Sequence, residues 1–353
     1  MTMRFRNKLV RLTVGWRFCY LLPSYQPSLF LSFAAMWEIH TKASRLEFVL
    51  ERKGVELWVK RDDLIHPEIS GNKWRKLKYH LASFERSAKS EILTFGGAFS
   101  NHIAATAALG DLCGISTHAL IRGEEGMKNN PTLEFCLKKG MRIEGISRKQ
   151  YDTKDDPKFL RTLALLMPQV YIIPEGGKGP LGLHGCLEIP TEVEEDFDYW
   201  ALGGGTGTTA AGVLASDKVK KLLLYPALKG GQFLVPAIFN QLLAYFENHQ
   251  SQQVSLRALQ QKLILRDPYH FGGYGKITPE LVAFLNTFQA QYALKLDPVY
   301  TGKMFFGLLQ DIDAGLFSAG SKILALHSGG LQGIAGMNNR LRAKNLETIN
   351  YEA

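Results

Sequence analysis

The sequence predicts an α/β fold with helices on both faces of a largely parallel sheet. From about Glu56 onward, short β-rich runs alternate with longer segments of helical period. Most of those runs are continuously apolar rather than alternating, as strands buried on both faces are. Several are followed at once by glycine-rich turns, where ligands sit in such folds.

The first expected strand is "VELWVK" (55–60), with a helix to follow from about Asn72. "EILTF" (91–95) runs into the Ala-rich helix "NHIAATAALGDLC", which Ser100 precedes. "STHALI" (116–121) is followed by "NPTLEFCLKKG", where Asn130 comes before the helix, Pro131 sits in its first turn and Gly140 stops it. "MRIEGI" (141–146) leads to "DDPKFLRTLALLM", whose apolar residues keep helical spacing. The remaining strands are "VYIIP" (170–174), "YWALG" (199–203) with its helix "TGTTAAGVLAS", "KLLLYP" (221–226), "KLILR" (262–266) and "KILALH" (322–327). The polar piece "ENHQSQQVS" (247–255) is too short to separate domains.

A chain of 353 residues, 46% hydrophobic, can bury a sizeable core. Five of its nine net positive charges (Arg4, Arg6, Lys8, Arg11 and Arg17) fall in residues 1–36, which contain no acid. The body is therefore only mildly basic, and no nucleic-acid partner is expected. A nucleic-acid module would need a basic stripe with interleaved aromatics, and near the basic run only Trp74 and Tyr79 interleave. Cys19, Cys113, Cys136 and Cys186 are scattered and form no CxxC, which fits a reducing cytoplasm better than a disulfide framework. The nine histidines form no HExxH or similar pattern, so no metal centre is expected. No run of 18 apolar residues is present, so no membrane span is expected. Residues 1–36, basic then apolar but broken by Arg11, Arg17, Pro23 and Pro27, read as a loosely attached extension or an over-long translation start. A targeting or membrane-surface segment is the alternative.

The loop "YWALGGGTGTTAAG" places Gly203, Gly204, Gly205 and Gly207 between a strand and a helix. Glycines let backbone N–H groups converge on one spot, and the helix N-terminus adds partial positive charge, which makes an anion site, most often for phosphate. Thr206, Thr208 and Thr209 add hydroxyl donors. The Walker pattern GxxxxGK[ST] is absent. Gly205, Gly207 and Ala210 match the dinucleotide pattern GxGxxA, but "LLLYPALKGG" (222–231) lacks the acid that a ribose requires. A phosphate monoester satisfies the loop without a ribose. A dinucleotide oxidoreductase is the rival reading, and a ligand-free tight turn the plainest. In "TFGGAFSNHIAATA", Ser100, Asn101 and His102 stand where a helix begins, either as caps or as a second anion site such as one for a substrate carboxylate. "IIPEGGKGPLG" (172–182) and "ALHSGGLQG" (325–333) repeat the arrangement, so four loops are expected to converge on one cleft.

"ISGNKWRKLKYHL" crowds Lys73, Arg75, Lys76 and Lys78 together. Either all four are solvated or one is a reactive amine. In a helix from Asn72, Leu77 and Leu81 share or adjoin the face of Lys73, which turns Lys73 inward. Arg75, Lys76 and Lys78 fall mostly elsewhere and are expected in solvent. An inward lysine and a phosphate cradle suit pyridoxal 5′-phosphate, which carries both a phosphate and an aldehyde.

"VELWVKRDDLIHPEISGNKWRKLKYHL" resembles the lysine region of the 1-aminocyclopropane-1-carboxylate (ACC) deaminase and D-cysteine desulfhydrase family of fold type II pyridoxal-phosphate enzymes. "GGAFSNH", "GGGTGTTAAG", "GGYGKITPE", "DPVYTGKMFFGL" and "HSGGLQG" follow in the family's order, from about Glu38 to the C-terminus. The resemblance implies two open, largely parallel sheets flanked by helices, with a small domain (79–174) inserted in a larger one (37–78 plus 175–353). It makes Lys73 the imine-forming lysine, Asn101 the partner of the cofactor's ring hydroxyl, and Ser328 the hydroxyl beside its ring nitrogen. Gly203, Gly204, Gly205, Thr206, Gly207 and Thr208 become the phosphate cradle, and Ser100 and His102 substrate-side groups. Tyr274 and Tyr300 become the two active-site tyrosines. ACC deaminases carry Glu after the second tyrosine, where this chain has Thr301. That departure favours α-proton removal and β-elimination from a small D-amino acid, giving pyruvate and ammonia, over cyclopropane ring opening. A homodimer is implied. A cofactor-binding but inactive protein is the remaining alternative.

Overall fold

A computed structural model describes residues 41–123, 129–249 and 255–353. The extension 1–36 and residues 250–254 of the linker-like piece lie outside them. Ten strands are present among the described residues: β1 (Leu46–Arg52), β2 (Val55–Lys60), β3 (Glu91–Gly96), β4 (Ser116–Arg122), β5 (Arg142–Ile146), β6 (Val170–Ile173), β7 (Tyr199–Gly204), β8 (Leu222–Pro226), β9 (Leu263–Leu265) and β10 (Lys322–Leu326). The α-helices are α1 (Asn72–Glu85), α2 (Asn101–Cys113), α3 (Pro131–Lys138), α4 (Arg148–Tyr151), α5 (Pro157–Leu166), α6 (Pro180–Thr191), α7 (Thr208–Leu214), α8 (Leu234–His249), α9 (Leu256–Lys262), α10 (Pro279–Tyr292), α11 (Thr301–Asp313) and α12 (Gly333–Arg342).

The strands form two open sheets, ordered β1-β2-β10-β7-β8-β9 and β5-β4-β3-β6. Every pairing is parallel except β1 with β2. All nine expected strands form within a residue or two of the expected bounds, most of them as apolar runs buried between helices, while β5 and β9 are only partly buried. The added strand, β1, pairs antiparallel at the sheet edge with a register shift between Phe48 and Leu50. Its "LEFVLER" mixes three charges into an exposed edge and so lacks the continuous apolar signal of the others. The six-stranded sheet carries the main core, and three smaller apolar clusters surround the four-stranded one. No helix among the described residues is long and apolar enough to cross a membrane.

Helix α1 is locked in place by ions. Arg75 is fully buried. Its Nε and one terminal nitrogen donate to Asp62 at 2.6 and 2.8 Å, and its terminal nitrogens donate to Glu192, just past α6, at 2.8 Å each. Lys60 pairs with Glu192 at 3.0 Å and donates to the Ser44 carbonyl, while Ser44 Oγ donates to Asp62 at 2.6 Å. Burial alone would lower the pKa of the guanidinium, but the two carboxylates reverse this and raise it. The expected solvation of the basic run is thus corrected. Arg75 and Lys76 are buried, and Lys78 is half-buried against Glu188 at 2.8 Å, because α1 packs against α6 instead of facing water. That approach needs Gly185, where a Cβ would overlap the Arg75 carbonyl. Arg75→Met removes the shared partner of two carboxylates, and denaturant unfolding is expected to show a loss of about 3–5 kcal/mol.

Candidate active site

The loops after β3 and β6 of one sheet and after β7 and β10 of the other meet at a cavity of about 740 Å³. The four glycine-bearing loops do converge, at the carboxyl ends of the strands. All predicted site residues line this cavity except Thr208 and Thr301.

Gly71 starts α1 at φ 65° with its backbone against Ser328, so that a Cβ there would overlap the Ser328 carbonyl. This contact sets Lys73, in the first turn, into the cavity. Lys73 is half-buried, open to the cavity, and donates to Asn72 Oδ1 at 2.7 Å. Asn72 in turn donates to Thr209 at 2.8 Å. Desolvation, then the neighbouring Lys76, lowers the Lys73 ammonium to about 7, with Asp297 acting weakly the other way. More of it is therefore free amine at neutral pH than of an ordinary lysine, which is almost wholly protonated.

Opposite stands the glycine loop. Gly203 and Gly205 lie beneath Tyr300, where an added Cβ would approach that residue to 3.1 and 2.9 Å. Gly207, at φ 80°, opens α7. The Thr208 hydroxyl donates to Gln241 at 2.8 Å, and Gln241 Nε2 donates to the Thr206 carbonyl at 3.0 Å. Thr208 therefore braces the loop from behind through Gln241, a residue that carries no sequence signal.

Lys76 is a further cavity residue, one helical turn from Lys73 on the same face. Helical spacing alone could have found it. The residue is buried apart from the cavity it lines, burial lowers its ammonium, and no hydrogen bond or ion pair engages it among the described residues. Lys76 packs on Gly177, and the adjacent Gly176 packs on Thr206 of the glycine loop. An unpaired buried cation beside a cradle of backbone N–H groups fits a phosphate.

His102 Nε2 lies 2.8 Å from Thr94 Oγ1, whose own proton goes to the Ile173 carbonyl at 2.8 Å. His102 must therefore donate through Nε2, leaving a buried, unpartnered Nδ1. Burial, then Lys73 and Lys76, holds the ring neutral. Ser100 caps α2, and Asn101 Oδ1 accepts from Gln332 at 2.5 Å. Tyr274 and Tyr300 stack edge-on at 6.0 Å. Burial, then Tyr274, pushes the Tyr300 phenol well up. The cavity also contains Glu175, which accepts from Tyr151 at 2.6 Å and pairs with Lys154 at 3.3 Å.

Thr301 is fully buried behind the wall. Its hydroxyl donates to Asp297 Oδ1 at 2.7 Å and accepts from the Asp297 N–H at 2.8 Å. Its side chain does not line the cavity. It supports Tyr300 through the backbone, and Asp297 also accepts the Tyr300 N–H at 2.9 Å.

A buried lysine with a lowered pKa facing a glycine-rich loop, at the carboxyl edge of two mostly parallel sheets, fits the class of fold type II pyridoxal-phosphate enzymes. Comparison with known proteins gives the family. The model of the family described as "Pyridoxal-phosphate dependent enzyme" matches residues 36–221, and the chain belongs to that family, in its ACC deaminase/D-cysteine desulfhydrase group. It is 31% identical to a "Putative 1-aminocyclopropane-1-carboxylate deaminase" of Pyrococcus furiosus, over 84% of this chain and 91% of that one. It is 29% identical to the mitochondrial "Bifunctional D-cysteine desulfhydrase/1-aminocyclopropane-1-carboxylate deaminase" of Arabidopsis thaliana, over 80% and 74%. The crystal structure of an ACC deaminase homologue superposes with a TM-score of 0.73 at 27% identity, over 90% of this chain and 99% of that one.

Two outcomes are expected. An amine-reactive label titrated against pH should modify Lys73 with a midpoint near 7, while exposed lysines respond only near pH ~10. Lys76→Met should weaken binding of pyridoxal 5′-phosphate, measured by its absorbance, by roughly tenfold to a hundredfold, the equivalent of one charge-assisted bond.

Proposed function

We propose that the protein is a lyase of the D-cysteine desulfhydrase type, acting on a small D-amino acid. One D-cysteine and one water give pyruvate, ammonia and hydrogen sulfide. The observation that carries this reading is Thr301. Where the ACC deaminases carry a glutamate beside the second tyrosine, this chain has a hydroxyl closed into a hydrogen-bonded ring with Asp297. Position 301 thus offers the cavity no acid for ring opening.

The backbone of Gly203–Gly207 and the Lys76 ammonium would hold the cofactor's phosphate, Asn101 would face its ring hydroxyl and Ser328 its ring nitrogen. When bound, pyridoxal phosphate supplies an electron sink for charge developing at the substrate Cα. Lys73 would hold the cofactor and, with its pKa lowered by burial, would serve as the base for the substrate Cα proton. The turn at Ser100–His102 meets the substrate carboxylate at the N-terminus of α2. As the Cβ–S bond breaks with its electron pair on sulfur, Tyr300, kept protonated by its surroundings, donates the proton that caps the leaving group. Lys73 returns its proton to the tyrosine, and water completes the release of pyruvate and ammonia.

Ring opening of ACC is the second reading, supported by the name of the Pyrococcus furiosus relative. Parallel assays with D-cysteine, L-cysteine, β-chloro-D-alanine and ACC separate the two. D-cysteine and β-chloro-D-alanine should be consumed and ACC left intact, whereas ACC turnover as fast as that of D-cysteine would overturn the proposal. Lys73→Ala should lower turnover by about 10²–10⁴-fold and abolish the visible absorbance of bound cofactor.

A further inference from the structure

Tyr274 sits in a loop with a short set of local hydrogen bonds: the Gly273 N–H donates to the His270 carbonyl at 3.0 Å, the Gly272 N–H to His270 Nδ1 at 3.0 Å and the Lys276 N–H to the Gly273 carbonyl at 3.1 Å. Residues 270–275 lie in neither a strand nor an α-helix, and Phe271, Gly272, Gly273 and Gly275 all have positive φ, at 50°, 86°, 117° and 61°. A non-glycine residue at such a φ is strained and persists only when its surroundings impose it. Nearly half of the Tyr274 surface is exposed.

What imposes the conformation lies on α11. Lys303 is buried, 1% exposed, with no carboxylate within ion-pair distance among the described residues. Its Nζ donates to the Gly273 carbonyl at 2.7 Å, to the His270 carbonyl at 2.9 Å and, less closely, to the Ala227 carbonyl at 3.4 Å. Ala227 is itself tied to the glycine cradle, its N–H donating to the Gly204 carbonyl at 2.9 Å. Lys303 also lies in the first turn of the helix that Tyr300 begins. Phe306 of the same helix packs edge-on against Phe271 at 4.9 Å, and Arg340 donates to the Gly275 carbonyl at 3.0 Å from an exposed position. Three carbonyls gathered on one buried ammonium are an arrangement that no apolar side chain of the same length can replace.

We infer that Lys303 is a positioning residue that fixes the Tyr274 loop against Tyr300 and the cradle, so that the two tyrosines keep their mutual geometry. Burial lowers its ammonium to about 8, with Asp297 opposing, so at neutral pH it keeps the three protons that three carbonyls require. The inference rests on the proposed function only for the catalytic use of Tyr300, against whose ring Tyr274 packs.

Lys303→Met and Lys303→Gln test it. Met conserves length and apolar packing without donors, whereas Gln is shorter but keeps two. Amide hydrogen exchange on the cofactor-free protein, read by mass spectrometry over residues 268–276, should speed up roughly tenfold in the Met variant. The Gln variant should fall between Met and wild type, with the rest of the chain unchanged. In the loaded enzyme kcat should follow the same order while affinity for the cofactor holds. If Met matches wild type, if Gln is worse than Met, or if exchange rises throughout the chain, Lys303 is only a packing residue and the inference fails. Should the Met variant not fold, Gln against wild type decides, with faster exchange confined to 268–276 supporting the inference and unchanged exchange overturning it. Absence of turnover by wild type on every amino acid would sink the proposed function alone, because the exchange result stands without it.

Discussion

The Arg75 guanidinium, held between Asp62 and Glu192, is the interaction on which the site depends. It joins three stretches of chain: the segment after β2, helix α1, and the residue just past α6. A planar fork with two carboxylates on it accepts only one rotation of α1. That rotation aims Lys73 and Lys76 at the cavity and puts Arg75 on the far side. Buried pairs of this kind add little net stability over apolar packing, yet they are costly to break from one side. Their consequence here is orientation. Gly185 lets the α6 backbone come close enough for the network to close, and Gly71 does the same between α1 and the loop after β10.

With α1 set, the electrostatics of the cavity follow. Lys73, Lys76 and His102 line it, and each has its charged form disfavoured first by burial. No carboxylate among the described residues pairs with either lysine there. Glu175 is engaged by Tyr151 and Lys154, and Asp297 by the backbone and hydroxyl of the turn that carries Tyr300. A wall built this way leaves its positive groups available to an incoming phosphate or carboxylate. The same desolvation that makes Lys73 reactive makes Lys76 want an anion.

Much of this was legible from residue pattern. The β-strands of the two sheets are apolar runs, and their burial on both faces is why they read so clearly. β1 escaped because an edge strand with Glu47, Glu51 and Arg52 has no such run. The glycine loops announced themselves because backbone approach to a ligand forbids side chains. Lys76 was placed in solvent although it stands one turn from Lys73, since four neighbouring basic residues look alike until packing sorts them. Thr301 was identified by position in a motif, which says where the backbone runs and nothing about where the hydroxyl points.

By itself, the sequence determined the parallel α/β architecture, the glycine-rich loops at the strand ends and the helix start that carries Lys73, because each is written in local pattern: apolar runs, clustered glycines, a turn at Ser70–Gly71. Only the tertiary structure decided which cations are buried, which hydroxyls face the cavity and what holds Tyr274. Those outcomes depend on partners far apart in the chain, Arg75 with Glu192, Thr208 with Gln241 and Lys303 with Gly273. A contact between such residues leaves no period in the sequence. It exists only once two sheets and their helices have been folded against each other.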